Sequence, residues 1–554
     1  MDNKRIIFWG ILAVLVWFNV LNWQRDYPAP IEQVSTSNPV VRTLDDSVPP
    51  LVSSASSSST SVPVTAVVEP SKVTGSKIHV VTDVLDIDLN TRGGDLERAD
   101  LLKYAKSKDE PNTPVELLSD RPDNFFAIRS GLSAANQSTA PSHQALFTTA
   151  ASNYQLAQDK DELVVDLKWS DGQGVDVTKS FIFHRGSYAI EVRYSVINNS
   201  AAAWQAASYI ELYRHDPAVK RSMFNAETMS YRGPAVYDGS KYQKLDITSD
   251  KYRNYQNSFA GGWMAALQHH FVVAAVPSSD TRYDYTLKND DHADFALLAR
   301  SSVISVDPNQ SKTFSEKLFV GPKLQEQLMT TGAELQRTTD FNTLYLIAQP
   351  LFRLLQFVHK ATGNWGVDII IVTLLIKLAF YWLTASSGRS MAKMRTLAPK
   401  LKAVQERYKD DREQLGRATM ELYRKEKINP VAGCLPMLIQ MPFFMGFYWV
   451  LLESAEMHQS PFFGWINDLS ARDPYFILPV IMGIANFVQF KVNPPQVDPT
   501  QAKIMAFMPI VMTVMMAWFP AGLLLYWITN TIVSALQQWR INKLVAADTQ
   551  ARKS

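Results

Sequence analysis

Hydrophobic and polar positions along the chain fall into three regimes. Ile6 to Trp23 is an apolar run of 18 residues without a charge, long enough to predict a spanning helix. It ends in Asn22-Trp23-Gln24-Arg25. Tryptophans at that end suit an interfacial belt and a retained anchor rather than a cleaved signal, which would close on small residues. Residues 24–76, rich in Pro, Ser, Thr and Val, keep no helical or strand period and read as a flexible linker. From 77 to 325 the period becomes two. Val175, Val177, Phe181 and Phe183 alternate with polar neighbours, as do Tyr188, Ile190, Val192, Tyr194 and Val196. Arg92-Gly93-Gly94, Ser170-Asp171-Gly172, Arg185-Gly186 and Asn198-Asn199 punctuate these runs as turns. The pattern predicts an antiparallel all-β sandwich.

The third regime is long apolar runs. Residues 342–360, interrupted by Pro350 and Arg353, are too short to span and predict an amphipathic helix lying at a membrane interface. Runs at 365–385, 431–452, 475–490, 504–519 and 522–540 predict five further spans, six with the first anchor. Between the second and third, residues 386–428 carry Met391, Met394, Leu397, Leu401, Val404 and Tyr408 at three-and-four spacing. After Lys409-Asp410-Asp411, a weaker stripe of Leu415, Ala418 and Leu422 predicts a paired helical hairpin. The fold class is therefore a polytopic α-helical membrane protein with six spans, an all-β domain and a helical hairpin.

Charge sets the orientation of these spans. Segment 389–427 has twelve Lys or Arg against six Asp or Glu, while 453–474 has one Arg against four acids. By the positive-inside rule, residues 1–5, the hairpin 386–428, the loop 491–503 and the basic tail 541–554 face the cytoplasm. The loop 453–474 and the β domain lie outside, which in a bacterium is the periplasm. Net charge is +2, so global charge selects no partner, and nothing points to DNA. The one cysteine, Cys434, excludes an intrachain disulfide framework and a cysteine-based zinc site. Two of the runs are short: sixteen residues make about 24 Å of helix against a hydrocarbon core of about 30 Å. Either the bilayer thins or admits water there, or the helices extend a few residues beyond the apolar run.

The candidate chemistry is a cation inside such a run, VTLLIKLAFYWL at 372–383. Lys377 near a bilayer centre would cost about 2.5–3.5 kcal/mol. It either snorkels towards the cytoplasmic interface or faces a polar interior. Thr373 shares its helical face. Gln440, Asn486, Gln489, Thr529 and Asn530 on other spans could line a water-filled recess with it. Asp368 is more than two turns away, so no carboxylate partner is evident. Met437, Met441 and Met445, and Met505, Met508, Met512 and Met515, form stripes that serve either packing or an adaptable binding surface. No phosphate-binding loop, zinc pattern or serine triad appears, no span carries a histidine, and no inverted repeat points to a transporter. His269-His270 in the β domain reads as surface or core. No cofactor or metal is expected, and the chain is not expected to be an enzyme.

Longer motifs carry a resemblance. QPLF at 349–352, GNWG at 363–366, SMAKMR at 390–395, NPVAGCLPMLIQMPFF at 429–444, DPYFILPVIMG at 473–483, KIMAFMPI at 503–510 and FPAGLLLYWITN at 519–530 are similar to the YidC membrane protein insertases of Gram-negative bacteria. The resemblance covers nearly the whole chain. It implies a five-helix insertase core around a hydrophilic groove open to cytoplasm and lipid, and a β-supersandwich outside. It implies nascent membrane proteins as substrates, handled alone or with the Sec translocon. The hairpin's net positive charge, by itself, reads either as a solvated face or as a docking surface for the ribosome, nascent chains or partner proteins, with the basic tail expected to meet the ribosome as well. The family's groove cation is usually arginine; Lys377 takes that position, keeping the charge and losing the planar fork. Thr373 matches the family's groove threonine, and Trp527 beside Tyr526 its aromatic contact.

Overall fold

The computed structural model describes residues 75–551, apart from 107–109, 136–138, 217–229, 290–293, 342–343, 409–410, 427–434 and 494–498. The anchor expected at 6–23 and nearly all of the linker lie outside the described residues. Twenty described strands, from Lys77–Val81 to Gln310–Pro322, form one 11-stranded and one 9-stranded sheet. Pairing is antiparallel except where Lys77–Val81 runs parallel to Asn153–Gln155.

The period-two runs set the register directly. Val192 faces Phe181 and Val196 faces Val177 across adjacent strands, and all four side chains enter the core. Sheet pairing therefore places one apolar face inward and one polar face outward, as alternation requires. The strand Trp204–His215 does not alternate. It is buried along nearly its whole length and sits inside the larger sheet with strands paired on both edges. Gly93 and Gly94 both adopt positive φ, at 75° and 64°, which turns their carbonyls towards Lys179. The buried Lys179 Nζ donates to Gly93 O at 2.9 Å, Gly94 O at 3.0 Å and Ser130 O at 2.8 Å. Burial still pulls the Lys179 ammonium down to about 8, against the pull of Asp95 and Glu316. Burial likewise pushes the carboxyls of Asp95 and Glu316 up to about 7.

Ten described helices follow: α1 (Gln325–Thr331), α2 (Tyr345–Thr362), α3 (Trp365–Ala379), α4 (Tyr381–Thr396), α5 (Ala398–Arg407), α6 (Arg412–Lys425), α7 (Leu435–Glu453), α8 (Ile477–Val492), α9 (Pro499–Met516) and α10 (Ala521–Ala551). A second core, separate from that of the sandwich, unites Phe352 of α2, Ile369 of α3, Phe447 and Leu451 of α7, Met482 of α8, and Leu524 and Tyr526 of α10. Helix α2 buries Ala348, Leu351, Phe352 and Leu355 in it and exposes Leu346 and Phe357, as an amphipathic stripe should.

Three boundaries differ from the sequence expectation. The run 365–385 is not one straight helix: the chain bends by 70° between Trp365–Ala379 and Tyr381–Met394. No proline causes this. Beyond the bend α4 packs along α10, with Ala385 and Ala392 against Ile541, and Gln538 Nε2 donates to Gly388 O at 3.1 Å. The first arm of the expected hairpin is divided at Leu397, where Pro399 enters the first turn of α5. The tail continues α10 to Ala551 rather than starting a new element at 541. Among the described residues no single helix is both long and apolar enough to cross a membrane, while the bent pair α3–α4 meets both conditions together.

Candidate functional site

Local sequence positions the cation-bearing helix. Gly363 takes φ 66° and ends α2, its N–H bonding His359 O. The Asn364 side chain then caps α3, accepting from Gly366 N at 3.0 Å and Val367 N at 3.1 Å. Gly366 lies so close to the Phe462 ring that a Cβ there would stand 2.1 Å from it. The GNWG tetrapeptide is thus a stop, a start and a close approach in four residues. Asp368, one turn into α3, is fully buried. It accepts from Thr362 Oγ1 and stands 2.6 Å from His359 Nδ1, so its carboxylate is engaged and turned away from Lys377.

Lys377 is half-buried near the end of α3. Its Nζ donates to Ser534 Oγ of α10 at 2.7 Å, and Ser534 Oγ in turn donates to Asn530 O at 2.7 Å. Among the described residues it meets no carboxylate. A second polar pair lies on the same long helix: Trp527 Nε1 donates to Asn486 Oδ1 of α8 at 3.2 Å, and Thr531 Oγ1 reaches the same oxygen at 3.4 Å. Phe444 of α7 stands edge-on to Trp527 with ring centroids 4.9 Å apart, and Phe447 stacks on Tyr526 at 4.5 Å. Lower down, Gln537 Nε2 donates to Thr384 Oγ1 at 3.0 Å. Polar groups of α3, α4 and α8 therefore converge on one stripe of α10.

Not every expected residue joins this stripe. Thr373 is 2% exposed and its hydroxyl donates back to Ile369 O at 2.6 Å, so it serves its own helix. Asn530 is buried and enters through its backbone carbonyl. Gln440 and Gln489 are half-buried. The methionine stripes split. Met441 and Met508 are 45% and 40% exposed, whereas Met445 and Met512 pack against the helical core. Ser534, Gln537 and Gln538 were not among the expected residues. Their signal is the polar series Trp527, Asn530, Thr531, Ser534, Gln537, Gln538, Asn542, which recurs at three and four along α10. In the β domain, His79, Asp86 and Asp88 cluster closely enough to suggest an ion, but Arg98 Nη1 lies 3.8 Å from Asp86 and 3.4 Å from Asp88 and meets their charge.

The described residues form a large β-sandwich followed by a helical bundle, and the families they match give the class, an inner-membrane protein with a periplasmic domain. The YidC periplasmic domain family matches residues 77–354, and the 60Kd inner membrane protein family matches residues 357–548. The membrane protein insertase YidC of Azotobacter vinelandii is 40% identical over 553 residues, covering 98% of this chain and 99% of that protein. The insertase of Methylococcus capsulatus is 41% identical over 552 residues, covering 99% of both. The chain belongs to the YidC family of membrane protein insertases, whose function is not enzymatic. A crystal structure of an active YidC insertase with its first transmembrane domain resolved covers 85% of this chain and 92% of its own, at 18% identity and a TM-score of 0.37.

Proposed function

We propose that this insertase receives the hydrophilic leading segment of a nascent membrane protein along the polar stripe of α10, with Lys377 as the attracting charge. The observation that carries the reading is the Lys377–Ser534 contact. A hydroxyl orients the ammonium and leaves its charge unneutralised. Water in such a recess shortens the low-dielectric path for the incoming segment. Its apolar part meanwhile leaves along the exposed methionines Met441 and Met508 into lipid, driven by about 25 cal/mol per Å² of apolar surface buried. No nucleotide or metal takes part. Residues 6–23 and five further segments span the bilayer, with both termini cytoplasmic and residues 77–325 periplasmic. The hairpin 386–428, carrying net positive charge, and the tail 541–554 meet the ribosome, and some substrates arrive through the Sec translocon. Gln440, Gln489 and Trp527 complete the substrate surface, with Tyr526 and Asn530, expected there from the sequence, buried behind it.

The test is insertion into proteoliposomes of a small substrate with an acidic exported segment. Lys377→Arg inserts at the wild-type rate. Lys377→Ala inserts about tenfold more slowly, and the loss shrinks when the substrate's acidic residues are neutralised. An acidic substrate indifferent to Lys377→Ala sinks the electrostatic role.

A further inference from the structure

The exported domain does not merely hang from the helical core. Lys323, directly after the strand Gln310–Pro322, and Glu453, the last residue of α7, are each 1% exposed and lie 3.9 Å apart. Ser230 of the β domain donates its hydroxyl to the other carboxylate oxygen of Glu453. One turn further on, Glu456 Oε1 accepts the backbone N–H of Gln325 at 2.9 Å. Gln459 Nε2 donates to Ala105 O at 3.1 Å, and the rings of His458 and His270 stack with centroids 4.4 Å apart. Gln349 of α2 adds a bond from its Nε2 to Gln325 Oε1 at 3.2 Å. The joint is therefore polar and directional. A cavity of about 360 Å³, lined by Tyr188, Gln327, Glu456 and His458, opens beside it, and the two large apolar cores share no residue.

A buried ion pair contributes little net stability, but it rejects every arrangement in which either charge stays buried alone. Such a pair selects one pose. Here the pose fixed is that of α7, because Glu453 ends the helix that carries Phe444 and Phe447. Phe444 and Phe447 lie nine and six positions from Glu453, about 14 and 9 Å along the axis. They are the ones that meet Tyr526 and Trp527. A change in tilt or rotation at the outer end of α7 would move both rings against the polar stripe of α10.

We infer that Lys323 and Glu453 are positioning residues for insertion, a latch by which the periplasmic domain holds α7 in register with the substrate surface. This rests on the reading that the Trp527 side of α10 receives substrate. The residues touch no substrate themselves. They act through α7, and what they need to supply is a single docked arrangement rather than a charge at the site.

That distinction makes the latch testable with the full chain in proteoliposomes. Spin labels are placed at the exposed positions Gln173 and Phe463 through cysteine substitutions in a Cys434→Ser background, and the distance between domain and loop is read alongside insertion rate. Lys323→Met leaves the Glu453 carboxylate buried without its partner. It broadens the distance distribution and slows insertion at least tenfold. Glu453→Gln keeps the Ser230 bond but strands the ammonium, and slows insertion at least threefold, so a poorly folding Lys323→Met still leaves a measurable variant. Lys323→Met combined with Glu453→Met removes both charges, and returns distance and rate to within twofold of the parent. Insertion at the parental rate by either single variant overturns the proposal. So does a double variant that docks natively and stays slow. Normal insertion by Lys377→Ala counts against the groove reading alone, since the parent still inserts and the latch variants are still compared with it.

Discussion

Three buried or half-buried lysines show how partners decide what a cation does. An ammonium has three donors. Lys179 commits all three to backbone carbonyls, which makes it part of the sandwich core. Lys323 pairs with Glu453 across a joint, with the charge of Asp340 also acting on it, which makes it specific for a docked pose. Lys377 spends one donor on a serine hydroxyl, which keeps it open to water or an arriving acidic group. Lys377 is legible in the sequence because it interrupts an apolar run. The roles of Lys179 and Lys323 are not, because their partners lie roughly 50 to 130 residues away and pairing at that range leaves no local pattern. Glu316 gives the residue-scale prediction. Its carboxyl is pushed up to about 7 by burial, one oxygen accepts from Tyr283 Oη at 3.2 Å, and the other has no hydrogen-bond partner. The folded state thus holds its proton to higher pH than the unfolded chain. Its contribution is full below about pH 4.5 and is lost as pH rises through about 7. Glu316→Gln keeps an acceptor for Tyr283 and removes that loss. It stabilises the β domain by about 1–3 kcal/mol at pH 8 and has little effect at pH 4.5. Urea midpoints of the full chain, followed by β-sheet circular dichroism at the two pH values, check this.

At the scale of elements, local chemistry fixes ends better than it fixes directions. Asn364 starts α3 and Asp411 starts α6, the latter accepting from Glu413 N and Gln414 N at 3.0 Å each. Asp411→Ala therefore costs about 1 kcal/mol of helix stability and raises amide hydrogen exchange in the first turn of α6, leaving the exchange of α3 unchanged. Unchanged protection at residues 412–416 would contradict the cap. Pro399 likewise explains why α4 and α5 are separate. The 70° bend at Phe380 has no such local cause. It follows from α4 lying along the lower half of α10, with Phe380 edge-on to Phe443 at 5.4 Å. The methionine stripes teach the same lesson. Spacing places residues on one helical face, but neighbours decide how much of that face is covered, so Met441 is open where Met445 is packed.

At the scale of the whole molecule, the described residues hold two large apolar cores, besides two small clusters among α4, α5, α6 and α10, and a charged joint between the large ones. Cores that share little apolar surface unfold with limited coupling. Ile190→Ala, in the sandwich core, is expected to lower β-domain stability by about 2–5 kcal/mol. The transition of the helical bundle, followed by the fluorescence of Trp527 as the one retained tryptophan, should shift far less. A common shift of both transitions would mean that the joint transmits stability as well as pose. The sequence by itself determined the β regime, its inward-facing residues and turns, the positions of the apolar runs, the lone cation and the family. Each of these is written in periodicity, in Gly and Asn turn chemistry, or in contiguous motifs, and so depends only on near neighbours in the chain. Tertiary structure alone decided that Ser534 meets Lys377, that Thr373 turns back on its own helix, that the second run bends, and that the exported domain grips the end of α7. Those are contacts between distant segments, and their geometry is set by how the sheets and helices fill space together.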